Sequence, residues 1–288
     1  MSTPHRTLRV DVAGGLHLAV TERNPAGAPT VVMLHGYLDQ RGSLEALANA
    51  LPPTWRVLTV DWRGHGDSDR VGPGGSYHLL DHVKDLDALI RALELTTPVV
   101  IGHSMGGNAA VLLAGALPER VGPLVLLETL GPPAEGGAEA PLRLGEALKH
   151  RAHLRAPKLV PDVESAISRL QQTNPGLSRP GAERMAAHAL SAVPGGWRWK
   201  FDPAVQGNAP LRFSDEAMLA FLSAITVPVL LVRAAHGYVP ARETSPARYH
   251  ALRRLTVVQL EEVGHHVHVE QPERVAREIT TWLAAQAG

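Results

Sequence analysis

One serine of this sequence has neighbours that would make it a nucleophile. The segment Gly102-His103-Ser104-Met105-Gly106 has the pattern G-x-S-x-G, and it lies between an apolar run at residues 99–101 and a helical pattern that starts at Asn108. A strand, this motif and a helix, in that order, predict a sharp turn that exposes the serine hydroxyl. The N-terminus of the helix offers free N–H groups and partial positive charge to a developing oxyanion. We therefore predict that Ser104 is a nucleophile for acyl transfer.

Three histidines near the C-terminus are the candidates for the general base. His265, His266 and His268 follow an apolar run at residues 255–260 and precede a helical pattern that begins near Pro272. A histidine in such a loop takes the proton from a serine hydroxyl and returns it to the leaving group. A metal site is the alternative interpretation of the three histidines, since carboxylates are nearby at Glu261, Glu262 and Glu270. We predict no metal and no cofactor, and we expect the histidines other than the base to pack or to brace the loop.

The elements that must position these residues are short apolar runs that alternate with helical patterns. Continuous apolar strands separated by helices predict a parallel sheet that is covered on both faces. The first two runs flank Gly14-Gly15 and predict a β-hairpin. The predicted strands lie at residues 8–12, 16–20, 31–34, 57–60, 99–101, 124–127, 229–232 and 255–260, and the predicted helices at 44–51, 79–95, 108–117 and 275–283.

The middle of the chain interrupts this alternation. Residues 131–137 are rich in Gly, Pro and Ala, and the segment that follows has the pattern of several short helices. All three Phe and two of the five Trp, Trp197 and Trp199, fall in this part of the chain. We predict a core domain formed by residues 1–130 and 226–288, with residues 131–225 inserted as a cap over the edge of the sheet where open α/β sheets bind ligands. The alternative is a helical subdomain that only adds stability.

Composition excludes several classes of protein. The 288 residues include 28 Lys+Arg and 28 Asp+Glu, 44% hydrophobic residues and no Cys. A net charge of zero argues against a nucleic-acid partner, and the lack of Cys excludes disulfides and thiolate chemistry. We see no signal peptide and no apolar stretch long enough to span a membrane, so we expect a cytoplasmic enzyme. The oligomeric state is left open.

Three motifs in order resemble the α/β-hydrolase superfamily. They are His35-Gly36, Asp61-Trp62-Arg63-Gly64-His65-Gly66-Asp67-Ser68 and Gly102-His103-Ser104-Met105-Gly106-Gly107. The resemblance implies an α/β-hydrolase fold with a mostly parallel eight-stranded sheet, helices on both faces and an inserted helical cap. It also implies an oxyanion hole formed by the backbone N–H groups of Tyr37 and Met105. Because the base in this family directly follows a glycine, the resemblance selects His265.

The sequence departs from the common family pattern at the triad acid. In the turn where most members carry an Asp, this chain has His236, and the next carboxylate is Glu243. Glu128 ends the predicted strand at residues 124–127, and it keeps the chain order Ser, acid, His. We therefore predict Glu128 as the acid, with a supporting role at the cap hinge as the alternative.

A closer resemblance is to the serine hydrolase-like proteins. It rests on Leu34-His35-Gly36-Tyr37-Leu38-Asp39, on the acidic residue that ends the sixth strand, on Ala235-His236-Gly237-Tyr238 and on Val267-His268.

These residues together predict a serine hydrolase that cleaves a small carboxylic ester through an acyl-enzyme. Related enzymes that attack with Asp form an alkyl ester instead, whereas a serine nucleophile suits acyl transfer. Trp197 and Trp199 alternate with basic residues, so their rings share one face of an extended segment and could form a wall of the acyl pocket; the alternative is that they anchor the cap. The predicted substrate-binding set is His35, Gly36, His103, Trp197, Trp199, His236 and Tyr238, and the side chain of His35 is expected to brace its loop. The alternatives for the function are a thioester or C–C bond hydrolase with the same triad, and a non-catalytic binding protein.

Overall fold

A twisted sheet forms the centre of the protein. The computed structural model describes residues 5–154, 158–207, 209–241 and 246–286. Within these residues, eight strands form one sheet in the order β1-β2-β4-β3-β5-β6-β9-β10, and β7 pairs with β8 in a separate hairpin. The strands are β1 (His5–Val12), β2 (Leu16–Arg23), β3 (Thr30–Leu34), β4 (Arg56–Val60), β5 (Val99–His103), β6 (Leu124–Leu127), β7 (Leu190–Val193), β8 (Gly196–Trp199), β9 (Val229–Ala234) and β10 (Leu255–Leu260). Strand β2 is antiparallel to both of its neighbours, β1 and β4. The remaining neighbours in the sheet, in the order β4-β3-β5-β6-β9-β10, are all parallel.

Helices cover both faces of the sheet. They are α1 (Glu45–Ala50), α2 (Leu79–Ala92), α3 (Met105–Ala116), α4 (Ala140–Ala152), α5 (Val163–Thr173), α6 (Arg179–Ala189), α7 (Asp215–Ala224), α8 (Tyr238–Ala241), α9 (Pro246–Ala251), α10 (Val267–Glu270) and α11 (Pro272–Gln286). In α11 the buried apolar positions Val275, Ile279 and Trp282 recur every three or four residues, so one face of the helix packs on the sheet.

The apolar strands are continuous because each contributes to two cores. In β3, Val31 and Met33 lie in the core with Trp282, whereas Val32 and Leu34 lie in the core with the buried side chains of α2 and α3. Successive side chains of a strand point to opposite faces, and both faces are covered here. The prediction of an α/β sheet covered on both sides is therefore confirmed.

The inserted segment lies between β6 and β9 and contains helices α4 to α7 and the β7-β8 hairpin. Its hairpin and α5 share a small core of their own, in which Val160, Leu190 and Trp199 pack together. The last helix of the segment, α7, behaves differently, because its Met218 and Leu222 are fully buried in the core of the sheet domain. Packing therefore joins α7 to the body rather than to the rest of the predicted cap.

The described residues also bear on the membrane question. No helix among them has both the length and the hydrophobicity that crossing a membrane requires.

Candidate active site

Ser104 lies on a sharp turn between β5 and α3. Its backbone has φ 49° and ψ −111°, in a region that side-chain-bearing residues rarely adopt. The turn can pack against the adjacent strand because a glycine lies two residues after Ser104. A Cβ at Gly106 would lie 2.5 Å from the carbonyl oxygen of Leu34, on that strand. The first residue of α3 is Met105, and N–H groups in the first turn of a helix have no partner within the helix. The turn thus places a hydroxyl beside free N–H donors.

Glu128 lies at the end of the next strand, β6, in a second turn with positive φ (56°). Its carboxylate is buried and accepts two backbone hydrogen bonds, one from the last residue of β9 and one from the first residue of α8. The N–H of Ala234 donates to Oε1 at 2.5 Å, and the N–H of Tyr238 donates to Oε2 at 2.7 Å. The carboxylate that follows β6 is therefore held by backbone N–H groups at the end of β9 and the start of α8.

His265 lies in the loop after β10 and reaches this carboxylate. Its Nδ1 is 3.3 Å from Oε2 of Glu128, and its ring stacks on the ring of Tyr238 with centroids 3.9 Å apart. Since the carboxylate accepts the Nδ1 proton, Nε2 of the neutral ring carries the lone pair and is the atom that can take a proton. The structure brings together the predicted acid and the predicted base.

His103 connects the turn of Ser104 to the loop of His265. It directly precedes Ser104, and its Nε2 lies 3.0 Å from the carbonyl oxygen of His265. Because a carbonyl only accepts, Nε2 of His103 carries the proton and its Nδ1 carries a lone pair. Burial and the neighbouring histidines hold the pKa of His103 well below its usual range, so the ring is neutral. His103 is thus placed to position His265, although we predicted it in the substrate-binding set.

The loop after β3 lies against the turn of Ser104. A Cβ at Gly36 would be 2.7 Å from Nδ1 of His103 and 3.5 Å from Cβ of Ser104. His35 is fully buried, and its two ring nitrogens bond the backbone: Nδ1 donates to the carbonyl of Gly36 at 2.7 Å and Nε2 accepts from the N–H of Trp62 at 3.1 Å. Burial lowers the pKa of His35 to about 3, so it braces this loop as a neutral ring. The loop thereby holds Gly36, the residue before Tyr37, close to the turn of Ser104.

The aromatic residues of the inserted segment lie elsewhere. Trp199 is buried in the core of that segment, where Trp197 packs against it as a partly buried neighbour. Phe201, stacked on Trp199, forms an isolated antiparallel bridge with His65 of the body. These contacts favour the alternative in which the tryptophans hold the segment in place.

Two further predicted residues lie in the turn after β9. His236 is exposed, and Tyr238 is partly exposed beside His265. The other candidate for the acid, Glu243, lies outside the described residues.

Asp39 is a residue of this region to which the sequence analysis gave no role. It is buried, its Oδ2 accepts a hydrogen bond from the hydroxyl of Ser43 at 2.7 Å, and burial raises its pKa to about 7. Its position, four residues after His35 in a motif that carries family resemblance, was the available signal. Asp39 also lies near His103 and His268, with their ligand atoms within 4.8 Å of one another. Only the fold brings these three residues together.

The fold and the order of the motifs are those of the α/β-hydrolase class. A family model described as alpha/beta hydrolase fold matches residues 29–272, and the chain therefore belongs to that family.

Individual relatives agree with this assignment. The chain is 31% identical over 300 residues to a serine hydrolase-like protein of Danio rerio, covering 100% of this chain and 88% of the relative. It is 28% identical to an sn-1-specific diacylglycerol lipase of Mus musculus, covering 90% of this chain and 82% of the relative. Among solved structures, the hypothetical protein PA1622 from Pseudomonas aeruginosa PAO1 superposes with a TM-score of 0.87 at 32% identity, covering 96% of this chain and 99% of that one. The resemblance to serine hydrolase-like proteins is thereby confirmed.

Proposed function

We propose that this protein is a serine hydrolase that cleaves carboxylic esters of small molecules through an acyl-enzyme. Ser104 is the nucleophile, His265 the base and Glu128 the acid. The observation that carries the proposal is the 3.3 Å contact between Oε2 of Glu128 and Nδ1 of His265. That contact orients the imidazole and stabilises its protonated form.

These proposed roles imply the following reaction. The hydroxyl oxygen of Ser104 attacks the ester carbonyl while its proton passes to Nε2 of His265. The tetrahedral oxyanion accepts hydrogen bonds from the backbone N–H groups of Met105 and Tyr37. His265 then gives the proton to the departing alkoxide, which leaves as an alcohol, and water cleaves the acyl-enzyme by the same steps.

Two observations support an ester rather than an alkyl substrate. A serine at the nucleophile position forms an ester that water can cleave by the same tetrahedral route. A relative of this chain is also named as a lipase, whose name specifies a diacylglycerol. We place the acyl group between the loop of Tyr37 and the ring of Tyr238, because Gly36 of that loop packs near Ser104, Tyr238 stacks on His265, and both tyrosines are exposed.

A fluorophosphonate probe tests the nucleophile. We expect it to label the wild-type protein and the control Ser223→Ala, which changes an exposed serine on α7, and to leave Ser104→Ala unlabelled. Labelling of Ser104→Ala, or no labelling of folded wild-type protein, would contradict the proposal; the second result favours a binding protein.

A panel of substrates tests the bond. Nitrophenyl esters of increasing acyl length are compared with thioesters of the same acyl groups. We expect kcat/KM to be higher for the esters. Faster cleavage of every matched thioester would contradict ester hydrolysis as the function and support thioester hydrolysis.

A further inference from the structure

A buried cluster of three metal-ligating side chains lies beneath the proposed triad. Asp39 follows β3, His103 ends β5 and His268 belongs to α10, and all three are buried. One ligand atom of each residue lies within 4.8 Å of the ligand atoms of the other two. The cluster differs from the three neighbouring histidines considered in the sequence, because Asp39 and His103 take the places of His265 and His266.

The cluster contains buried polar atoms with unused hydrogen-bonding capacity. Among the described residues, neither ring nitrogen of His268 has a hydrogen-bond partner, and neither has Nδ1 of His103. Buried polar atoms without partners are rare in proteins, and each requires a physical explanation. Because Nε2 of His103 donates to the carbonyl of His265, its Nδ1 has the lone pair that a cation needs. A neutral His268 presents a lone pair as well.

We propose that Asp39, His103 and His268 bind a divalent transition metal ion, with zinc as the best match. Two imidazole nitrogens and one carboxylate oxygen form a common donor set for zinc, and a water molecule completes a tetrahedron. Ligand atoms around tetrahedral zinc are about 3.3 Å apart, given metal–ligand bonds of about 2.0–2.1 Å. Because the ligand atoms lie within 4.8 Å of one another, each side chain would move inward by at most about an ångström on binding.

The position of this site gives the metal a structural role. The ion would bind Nδ1 of His103, whose other nitrogen holds the carbonyl of His265. Metal-bound imidazoles characteristically donate their second N–H to such an acceptor, which fixes the ring. The ion would thus stiffen the loop of the proposed base without touching the substrate. This inference rests on the cluster alone and stands apart from the proposed ester hydrolysis.

Metal titration of the protein without an affinity tag tests the site. Protein stripped of metal with a chelator is titrated with Co²⁺, and binding is followed by the visible absorption of tetrahedral cobalt. Bound Zn²⁺ is quantified by inductively coupled plasma mass spectrometry. We expect about one ion per chain for the wild type. Uptake of neither ion by folded wild-type protein would overturn the proposal in favour of a buried hydrogen-bond network.

Variants assign the ion to this cluster. Asp39→Asn keeps the shape of the side chain and removes its charge, and His268→Gln keeps polarity and approximate volume. Each should bind Co²⁺ at least about tenfold more weakly than the wild type, whereas His188→Ala, at an exposed histidine, should bind it equally. Zn²⁺ should also raise the Tm of the wild type and of His188→Ala more than that of the two cluster variants. Equal affinity in all four proteins would overturn the assignment.

Discussion

The carboxylate of Glu128 occupies the space in which a side chain at residue 237 would lie. A Cβ added to Gly237 would overlap the Glu128 carboxylate. The N–H groups of Ala234 and Tyr238, on either side of this glycine, donate to the same carboxylate. The carboxylate next to the turn after β9 therefore belongs to Glu128, which follows β6, and not to a residue of that turn.

The first prediction concerns the charge of this group. Glu128→Gln replaces one carboxylate oxygen by an NH₂ group that faces N–H donors, and it removes the negative charge beside His265. We expect kcat/KM to fall by about 10³–10⁴-fold, measured with the best nitrophenyl ester. Glu261→Gln, at an exposed position, should keep wild-type activity. Near wild-type turnover of Glu128→Gln together with loss of activity in Glu243→Gln would show that the acid is residue 243 and not residue 128.

The second prediction concerns the glycine. Gly237→Ala forces the carboxylate or the turn to move, so we expect at least about a hundredfold loss of kcat/KM, because displacements of about an ångström have such effects. Gly145→Ala is the matched control, since a Cβ there meets no atom within 4 Å and alanine favours the helix α4. Equal activity of the two variants would show that the packing of Gly237 against Glu128 has no effect on catalysis.

The third prediction concerns a buried ion pair next to the loop after β4. Nε of Arg63 lies 2.7 Å from one carboxylate oxygen of Asp85, and a terminal nitrogen lies 2.5 Å from the other. Asp85→Ala leaves the arginine charge buried without its partner, so the free energy of unfolding should fall by about 3–5 kcal/mol. Asp87→Ala, which removes a partner of Arg91 and Arg120, two arginines with solvent-exposed side chains, should cost less than about 1 kcal/mol. Urea unfolding measures both, and similar losses for the two variants would contradict the prediction.

The fourth prediction concerns acid stability. Burial lowers the pKa of His65 to about 3, whereas a histidine in the unfolded chain has a pKa of about 6.5. Below about pH 6.5 the unfolded state binds a proton that the folded state excludes, so stability is present at neutral pH and is lost as the pH falls.

His65→Gln removes this one proton-binding difference. Between pH 7 and pH 5 the variant should lose about 2 kcal/mol less unfolding free energy than the wild type. The comparison uses urea unfolding at both pH values, and the change with pH, rather than the absolute stability, is the readout. An unchanged pH dependence would mean that His65 is protonated in the folded protein.

The sequence predicted most of the fold because its strands are buried on both faces. Continuous apolar runs such as the one in β3 leave few other arrangements when helical patterns separate them. The contact between Glu128 and His265 was predictable for a related reason, since Glu128 directly follows β6, His265 lies in the loop after β10, and parallel strands end at the same edge of a sheet.

Other features depend on contacts that sequence spacing does not determine. The alternation of Trp197 and Trp199 places both rings on one side, but it does not decide whether that side faces a ligand or the core of the inserted segment. The pattern of α7 is mostly apolar after its two acidic first residues, and only tertiary packing assigns its Met218 to the body. The cluster of Asp39, His103 and His268 joins three distant segments, so none of its members identifies the others.

The backbone conformation of Ser104 has an evolutionary consequence. Glycine adopts a positive φ without the steric cost of about 1–3 kcal/mol that other residues incur. A change to glycine at this turn would therefore make the molecule more robust to heat while removing the hydroxyl on which the proposed chemistry depends. Selection for thermal stability alone would favour glycine at this position and hence a protein without the proposed activity. Retention of the serine would therefore reflect selection for that activity.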